Sequence, residues 1–283
     1  MRYTYDWASA PLLFGSSYED AAIELAAFRP HSRVFAIAAS GETARALAAK
    51  GHHVTAIDIN PRQVDYARGS SPKDGRVERA LAFGRRSVGW HEAGVREFLT
   101  LTDLAEQVDY WDRILDTRHF RIALDALLLL RFAFARHLTA SLPDSFGTVV
   151  RARLRRCWAT HSNLTNPYAW RLLLGGRQPA LSTIPPIEFA CGDAADYLES
   201  RPSGSFDGFA LSNILDGATA PYCRRLQAAV NRAASPGAIV VIRSLAEPHA
   251  GVCHNRAAED RSPLWGTVHV AAASESWIPC STC

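Results

Sequence analysis

No apolar run in this sequence is long enough to cross a bilayer. The strongest, residues 123–134, is interrupted by Asp125 and Arg131 and flanked by Arg121 and Arg136. A spanning helix needs about 20 mostly apolar residues. The opening segment, MRYTYDWASAPLLFG, has no apolar signal core, which predicts a chain without a secretory leader. Cysteine is sparse and scattered: Cys157, Cys191, Cys223, Cys253, Cys280 and Cys283 do not make a disulfide framework in 283 residues. These absences together predict a soluble, cytoplasmic protein with reduced thiols. Cys280 and Cys283 have thioredoxin-type spacing but lack the βα context of a redox motif. Cys191, Cys253, His249 and His254 contain no zinc-type pair of pairs, so no metal is expected. A net charge of +3 is too small to argue for nucleic acid or an anionic membrane surface. Lysine is nearly missing, with only Lys50 and Lys73, and no chemistry is drawn from that arginine bias. There is no internal repeat and no low-complexity tract.

What is present is enough apolar material for a large core. Hydrophobic residues make up 48% and charged residues 21%, which excludes wholesale disorder. Residues 34–38 (VFAIA) and 54–59 (VTAIDI) read as short buried strands. After the first, Ser40-Gly41 breaks the run and 42–50 reads as an alanine-rich helix stopped by Gly51. After the second, Asn60 caps a helix that opens with Pro61. This β-α-β-α pattern builds a parallel sheet. The same style returns with strands at 187–191, 206–211 and 239–242. Helices follow Gly192-Asp193 and span 221–233, Pro236-Gly237 is a turn, and 265–271 is a last strand. Between the halves the periodicity is helical, with helices expected at 95–104, 108–115, 120–137 and 146–154. The predicted organisation is therefore 1–75 for the N-terminal segment and first half of the α/β domain, 76–175 for a large helical insertion between the second and third strands, and 176–283 for the second half. An insertion this long is a candidate acceptor-binding part.

Open parallel sheets bind ligands at the C-terminal strand ends. After the first strand, Ala39, Ser40 and Gly41 are small enough to let a ligand approach the backbone. With a single glycine this is not the G-x-G-x-x-G phosphate cradle, so a ligand without phosphates is favoured. Asp58 ends the second strand, 17 residues after Gly41 and near the spacing of about 20 expected for a ribose-binding carboxylate. Asp193, with Ala194 behind it, follows the third strand and suits an exocyclic amino group such as that of adenine. Each aspartate also has a plain reading as a turn or cap. As an ordered set they predict an adenosine pocket, and S-adenosylmethionine (SAM) is the phosphate-free adenosine cofactor with this pattern.

Several segments resemble the BtaA-like family of SAM-dependent 3-amino-3-carboxypropyltransferases. Asp58-Ile59-Asn60-Pro61-Arg62-Gln63 is similar to its D-x-N-P-x-Q segment. Residues 206–216, FDGFALSNILD, resemble its FDGFxLSNIxD segment. Leu13-Phe14-Gly15 with Tyr18-Glu19-Asp20 looks like its N-terminal aromatic-Glu-Asp motif, and Asn166-Pro167-Tyr168 and Asp260-Arg261-Ser262 also fit. The resemblance runs from about residue 12 to 270 and is matched in character more than in residues across the insertion. It implies a Rossmann-like, class I SAM-dependent transferase fold. It also implies transfer of the aminocarboxypropyl group to a hydroxyl, either of diacylglycerol on the way to betaine lipids or of a phenol, as in isonocardicin synthase-type enzymes of antibiotic biosynthesis. The length of the chain suits a small soluble phenol or alcohol. Peripheral membrane contact with a lipid acceptor stays open.

Attack at the methyl carbon of the sulfonium gives methylation, and attack at the γ-carbon releases methylthioadenosine. Positioning makes the choice. The resemblance assigns Tyr18, Glu19 and Asp20, with Asn60 and Gln63, to the cofactor, Glu19 and Asp20 as acceptors for its amino group. Arg243, at the end of a strand, is placed to hold its carboxylate, or else forms a salt bridge. Ser212 and Asn213 end the fourth strand near the reacting end, or simply make a turn. Asp216 is the first choice for the base that deprotonates the acceptor, with His91 and His119 as alternatives on the acceptor side. Tyr168 lines the acceptor pocket or packs in a core. Arg151, Arg153, Arg155 and Arg156 read best as a solvated helix face, and 127–130 as a buried helix. Two other functions fit the same pocket: a small-molecule methyltransferase and a non-catalytic SAM-fold binding protein.

Overall fold

A computed structural model of the chain describes residues 12, 15–69, 83–134, 145–175, 185–248 and 254–278. In chain order the elements are α1 (Ala22–Ala27), β1 (Arg33–Ile37), α2 (Glu42–Ala49), β2 (His53–Asp58), α3 (Pro61–Arg68), α4 (Glu92–Thr100), α5 (Leu104–Tyr110), α6 (Arg118–Phe134), α7 (Phe146–Thr160), α8 (Pro167–Leu174), β3 (Glu188–Cys191), α9 (Ala194–Glu199), β4 (Phe206–Ala210), α10 (Ala220–Ala233), β5 (Ala234–Ser244) and β6 (Thr267–Ala272). The chain divides into two compact units. The first is Met1–Pro72, Leu181–Asp260 and Trp265–Cys283; the second is Lys73–Ala180 and Arg261–Leu264.

The first unit is a mixed α/β fold around a six-stranded sheet of order β3-β2-β1-β4-β5-β6. Neighbours are parallel from β3 to β5, and β6 runs antiparallel to β5. Strands buried on both faces read as continuous apolar runs rather than alternating ones, which is why VFAIA is so apolar. The alternation is still present in space. Phe35, Ile57, Phe209 and Val240 pack on one face with Leu198 of α9 and Leu226 and Val230 of α10. Val34, Ala36, Val54 and Val241 pack on the other with Ile23 of α1, Leu47 of α2 and Ala67 of α3. Helices on both faces of a mostly parallel sheet in this order make a Rossmann-like arrangement. The order reverses between β1 and β4, where Ala36 lies opposite Ala210. That reversal is where such sheets hold ligands.

The strands fall within about two residues of their expected positions except β5. It begins at Ala234, so Pro236-Gly237 lies inside the strand instead of preceding it. The ladder steps from Phe206↔Ala234 to Gly208↔Ile239. Proline offers no N–H to the ladder, so the chain bulges out there and pairing resumes beyond it.

The described residues of the second unit contain helices and no strand. Its core is aromatic. Phe98 meets Trp158 edge-on at 5.4 Å, and Trp90 stacks on Phe120 at 4.8 Å. Trp111, in a π-helical turn over Trp111–Leu115, joins the same cluster. Buried Gln107 ties α5 to the end of α7, donating to the carbonyls of Trp158 (2.7 Å) and His161 (3.0 Å). The arginine run of α7 is the solvated face expected at Arg155, which is exposed, but not at Arg153. Arg153 is buried and donates to the Leu264 carbonyl at 2.7 Å, while Arg155 pairs with Asp112 and Arg151 with Asp116. Leu127 is exposed rather than buried, whereas Leu128 packs on the aromatic cluster. Among the described residues no helix is long and apolar enough to cross a membrane.

Gly208 shows how tightly the central sheet is packed. A Cβ there meets the Phe28 ring at 3.0 Å. Gly208→Ala should therefore cost about 1–3 kcal/mol through overpacking, read as a lower midpoint in urea unfolding. An unchanged midpoint would mean that Phe28 gives way freely.

Candidate functional site

The two strands at the reversal of strand order both end in strained backbone. Ala39, after β1, has φ 43°, and Ser212, after β4, has φ 52°. A left-handed non-glycine residue costs about 1–3 kcal/mol and persists where the surroundings enforce it. Here the enforcement is visible. The Ala39 carbonyl accepts from Gln63 Nε2 at 2.6 Å, and the Gly41 N–H closes a turn on the Ala38 carbonyl at 2.6 Å. Gly41 itself has φ 77°, and a Cβ there would lie 2.9 Å from the Ala67 carbonyl. Ser212 is clamped through its carbonyl, which accepts from the Arg243 N–H at 2.7 Å. Ser40 is buried, its hydroxyl 2.8 Å from that of Ser17.

Asp58 and Asp193 sit at the same edge, since Asp58 is opposite Cys191 in the β2–β3 ladder. Asp58 Oδ1 accepts from the Asn60 N–H at 2.9 Å. Burial pushes its carboxyl up to about 6, against the pull of the backbone N–H groups of Asn60, Ala39 and Ile59. Asp193 Oδ1 caps α9, accepting from Ala195 N and Asp196 N at 2.9 and 3.1 Å. Its Oδ2 is buried without a hydrogen-bond partner, and a buried acceptor left unpaired is costly unless something else supplies a donor. Asn60 spends its side chain capping α3 through the Arg62 N–H, and Ala194 is buried in the first turn of α9.

Glu19 joins the two strained loops. Its carboxylate accepts from the Ser212 hydroxyl on one oxygen and from Thr43 Oγ1 at 3.2 Å on the other. Burial raises its pKa, opposed by the charge of Arg243 and the hydroxyl hydrogen bonds. Asp20 turns away from that pair. Its carboxylate accepts from the Ala22 N–H at the start of α1 and its carbonyl from Arg243. The Tyr18 carbonyl accepts from Trp265 Nε1 at 2.6 Å.

One expected role is corrected. Arg243 does not face a ligand. It is fully buried, forked onto Glu24 and paired with Asp260 Oδ2 at 2.9 Å. An arginine inside an apolar strand must take its counter-ions with it, so the salt-bridge reading prevails. Asp216 braces the strand ends. Its carboxylate accepts from Ser244 Oγ (2.6 Å), the Leu245 N–H (3.0 Å) and Asn213 Nδ2 (3.1 Å), tying the ends of β4 and β5. Within the second unit, His91 and His119 are exposed and Tyr168 is buried beneath Arg171. The expectation of reduced thiols fails at Cys223, which is disulfide-bonded, whereas Cys157 and Cys191 are free. Among the described residues no cluster of histidine, cysteine, aspartate or glutamate could hold a metal. His249, Cys253, Cys280 and Cys283, and Leu13 and Phe14 of the N-terminal motif, lie outside the described residues.

Sequence reasoning missed Glu24, Asp260 and Thr43 as members of this network. The signal existed: Glu24 interrupts an apolar helix (AIELAA) and Arg243 an apolar strand (VVIRS), and two opposite charges stranded in core segments call for each other.

No family model and no curated protein matches the chain. A solved structure from work on the conversion of a disulfide bond into a thioacetal group during echinomycin biosynthesis is similar to it at 14% identity and a TM-score of 0.38, over 84% of this chain and 55% of that one. The chain thus spans about half the length of that structure. The resemblance to the BtaA-like family rests on the quoted segments alone.

Because Arg243 neutralises buried carboxylates, removing it should be severe. Arg243→Met leaves Glu24 and Asp260 uncompensated and should cost about 3–5 kcal/mol, seen as a large drop in the thermal midpoint. A midpoint close to that of the unaltered chain would rule out the buried network.

Proposed function

We propose that the chain binds S-adenosylmethionine at the C-terminal edge of its sheet, as a class I SAM-dependent fold. It transfers the 3-amino-3-carboxypropyl group to the hydroxyl of a small-molecule or lipid acceptor, releasing methylthioadenosine. The observation that carries the cofactor is the pair of strand-end carboxylates. Asp58 is placed to accept from ribose hydroxyls. The orphaned Oδ2 of Asp193 asks for a donor such as an exocyclic amino group. A phosphate-bearing ligand finds no partner in Arg45 or Arg243, which are already committed. Arg45 donates to the carbonyls of Ala67 and Ser40, and Arg243 is sealed in ion pairs. Carboxylates near a half-buried edge favour a cationic ligand by simple attraction.

When bound, SAM supplies a sulfonium-activated carbon chain open to in-line displacement. The chain's own residues hold the adenosine end and fix the loops on which the acceptor must be aimed. Choice of the γ-carbon over the methyl is a matter of aim, and the segments resembling the aminocarboxypropyltransferases support that choice.

The direct test follows the nucleoside product by mass spectrometry after incubation with SAM and a panel of phenols, alcohols and diacylglycerol, beside an enzyme-free control. Acceptor-dependent methylthioadenosine is expected. S-adenosylhomocysteine would make the protein a methyltransferase, and binding without product a SAM-fold binding protein. Asp58→Asn should weaken SAM binding about 10- to 100-fold, through lost charge-assisted hydrogen bonds, with the fold intact.

The pH dependence has a definite sign. Asp58 holds its proton up to about pH 6 in the folded chain, above the ordinary carboxylate value of about 3.9. Its contribution to stability is full below the unfolded value and is lost as pH rises through about 6. A ligand that needs the carboxylate ionised does the opposite. SAM affinity by calorimetry should climb across that window and level off above it, and Asp58→Asn should remove the climb.

A further inference from the structure

Resting on that reading, we propose that Ser212 and Glu19 form a proton-relay dyad, in which Ser212 Oγ takes the proton of the acceptor hydroxyl while passing its own to Glu19. Three observations place it. First, Ser212 holds a left-handed backbone at the end of β4, and that strain is enforced through its carbonyl by Arg243 N–H and through the Leu211 N–H, which donates to Val241 at 2.9 Å. Strain maintained at a strand end beside the reversal of strand order marks a residue held for use. Second, the Ser212 hydroxyl donates to a carboxylate that is itself buried, with Thr43 Oγ1 on its other oxygen. Third, Glu19 is the carboxylate to which Ser212 Oγ donates, whereas Asp216 accepts from Ser244, Leu245 and Asn213.

The charges facing Glu19 set its balance. Arg243 on β5 favours its ionised form and Glu24 on α1 disfavours it, while the hydroxyls of Thr43 on α2 and Ser212 after β4 stabilise the anion. Arg243 contacts Glu24 and Asp260 and reaches Glu19 through space. Burial is the largest influence and lifts the Glu19 pKa, and a base is most effective with a pKa near the working pH.

The step balances. A lone pair of the acceptor oxygen forms the new C–O bond at the γ-carbon. The C–S bond breaks with its electron pair going to sulfur, which turns the sulfonium into the neutral thioether of methylthioadenosine. The acceptor's proton passes to Ser212 Oγ as the Ser212 proton passes to Glu19, which later releases it to water. Ser212 meets the acceptor directly; Glu19 acts through it.

The test uses the full chain with Glu19→Gln, which keeps size and shape, and Ser212→Gly, which removes the hydroxyl yet tolerates the left-handed backbone. The expected result is a fall in kcat of about 10²- to 10⁴-fold for Glu19→Gln with SAM affinity by calorimetry unchanged. The rise of kcat with pH at saturating SAM should vanish in that variant. The loss should be larger for an aliphatic alcohol than for a phenol, because a phenol, with a pKa of about 10, needs less help in giving up its proton. Independently of turnover, carbon-13 NMR of glutamate-labelled protein should show one carboxyl, absent in Glu19→Gln, titrating above the ordinary value of about 4.3. Full turnover with an unaltered pH profile in Glu19→Gln, or a Glu19 carboxyl titrating at the ordinary value, overturns the dyad while leaving the proposed function standing. Weakened SAM affinity in Glu19→Gln with kcat unchanged makes Glu19 a cofactor ligand and also overturns it. No methylthioadenosine from the unaltered chain removes the function, and the dyad with it.

Discussion

A guanidinium with no access to water organises the α/β unit. Arg243 sits on a strand whose neighbours are apolar, and a cation there survives only with anions brought to it. Glu24 comes from α1, Asp260 from the segment ahead of β6, and the Asp20 carbonyl from the turn into α1. Segments far apart in sequence are thereby fixed to one strand end. Glu19 lies one residue before Asp20, so the ion pairs that anchor the N-terminal segment also set where Glu19 points. The Arg243 N–H reaches the Ser212 carbonyl as well. Anchor and candidate site share a residue, so its side chain serves stability while its backbone shapes the edge where a ligand would lie.

The site is built of acids and hydroxyls rather than bases. Asp58, Asp193, Glu19, Ser40, Ser212 and Thr43 lie at or beside the ends of β1 to β4. The strain at Ala39 and Ser212 costs stability that the sheet must offset, and apolar burial on both faces is the source able to do so. Rigid strand ends would suit the proposed reaction, whose outcome depends on which of several activated carbons is met first. A misplacement of about 1 Å can change rates by orders of magnitude, and loops pinned by Gln63 and by the Arg243 N–H are poorly able to drift that far.

Much of the fold was legible because the strands are unmixed apolar runs and the helix starts carry their own caps. Asn60-Pro61 and Gly192-Asp193 announced α3 and α9 from local chemistry alone. The long strand β5 was not legible, because Pro236-Gly237 has the composition of a turn and only the ladder on either side shows that it is a bulge. Asp58 and Asp193 could be placed at the sheet edge from spacing, since a residue that ends a parallel strand has its position fixed by topology. Arg243 and Asp216 could also be placed there, but not their roles. Whether a strand-end side chain faces a ligand or its own neighbours depends on partners distant in sequence, and Glu24 and Ser244 were those partners. Arg153 of α7 failed for the same reason: within a cluster of like charges it reads as solvated until the Leu264 carbonyl is seen to meet it.

The carboxylates at this edge constrain the chemistry more than any one of them does. An ionised Asp58 and an unpaired Asp193 oxygen create a field that draws a cation and repels a phosphate. Loss of water is the largest influence that lifts both Asp58 and Glu19 from ordinary values. Neutralisation by an arriving cation works in reverse and lowers them. A site of this kind is therefore less ready to accept a proton once a cation is seated in it. Arg243 is a fixed cation acting on Glu19 in the same direction. Because it is buried and ion-paired, its charge does not vary with ligand or pH, and its pull on Glu19 is a property of the fold itself.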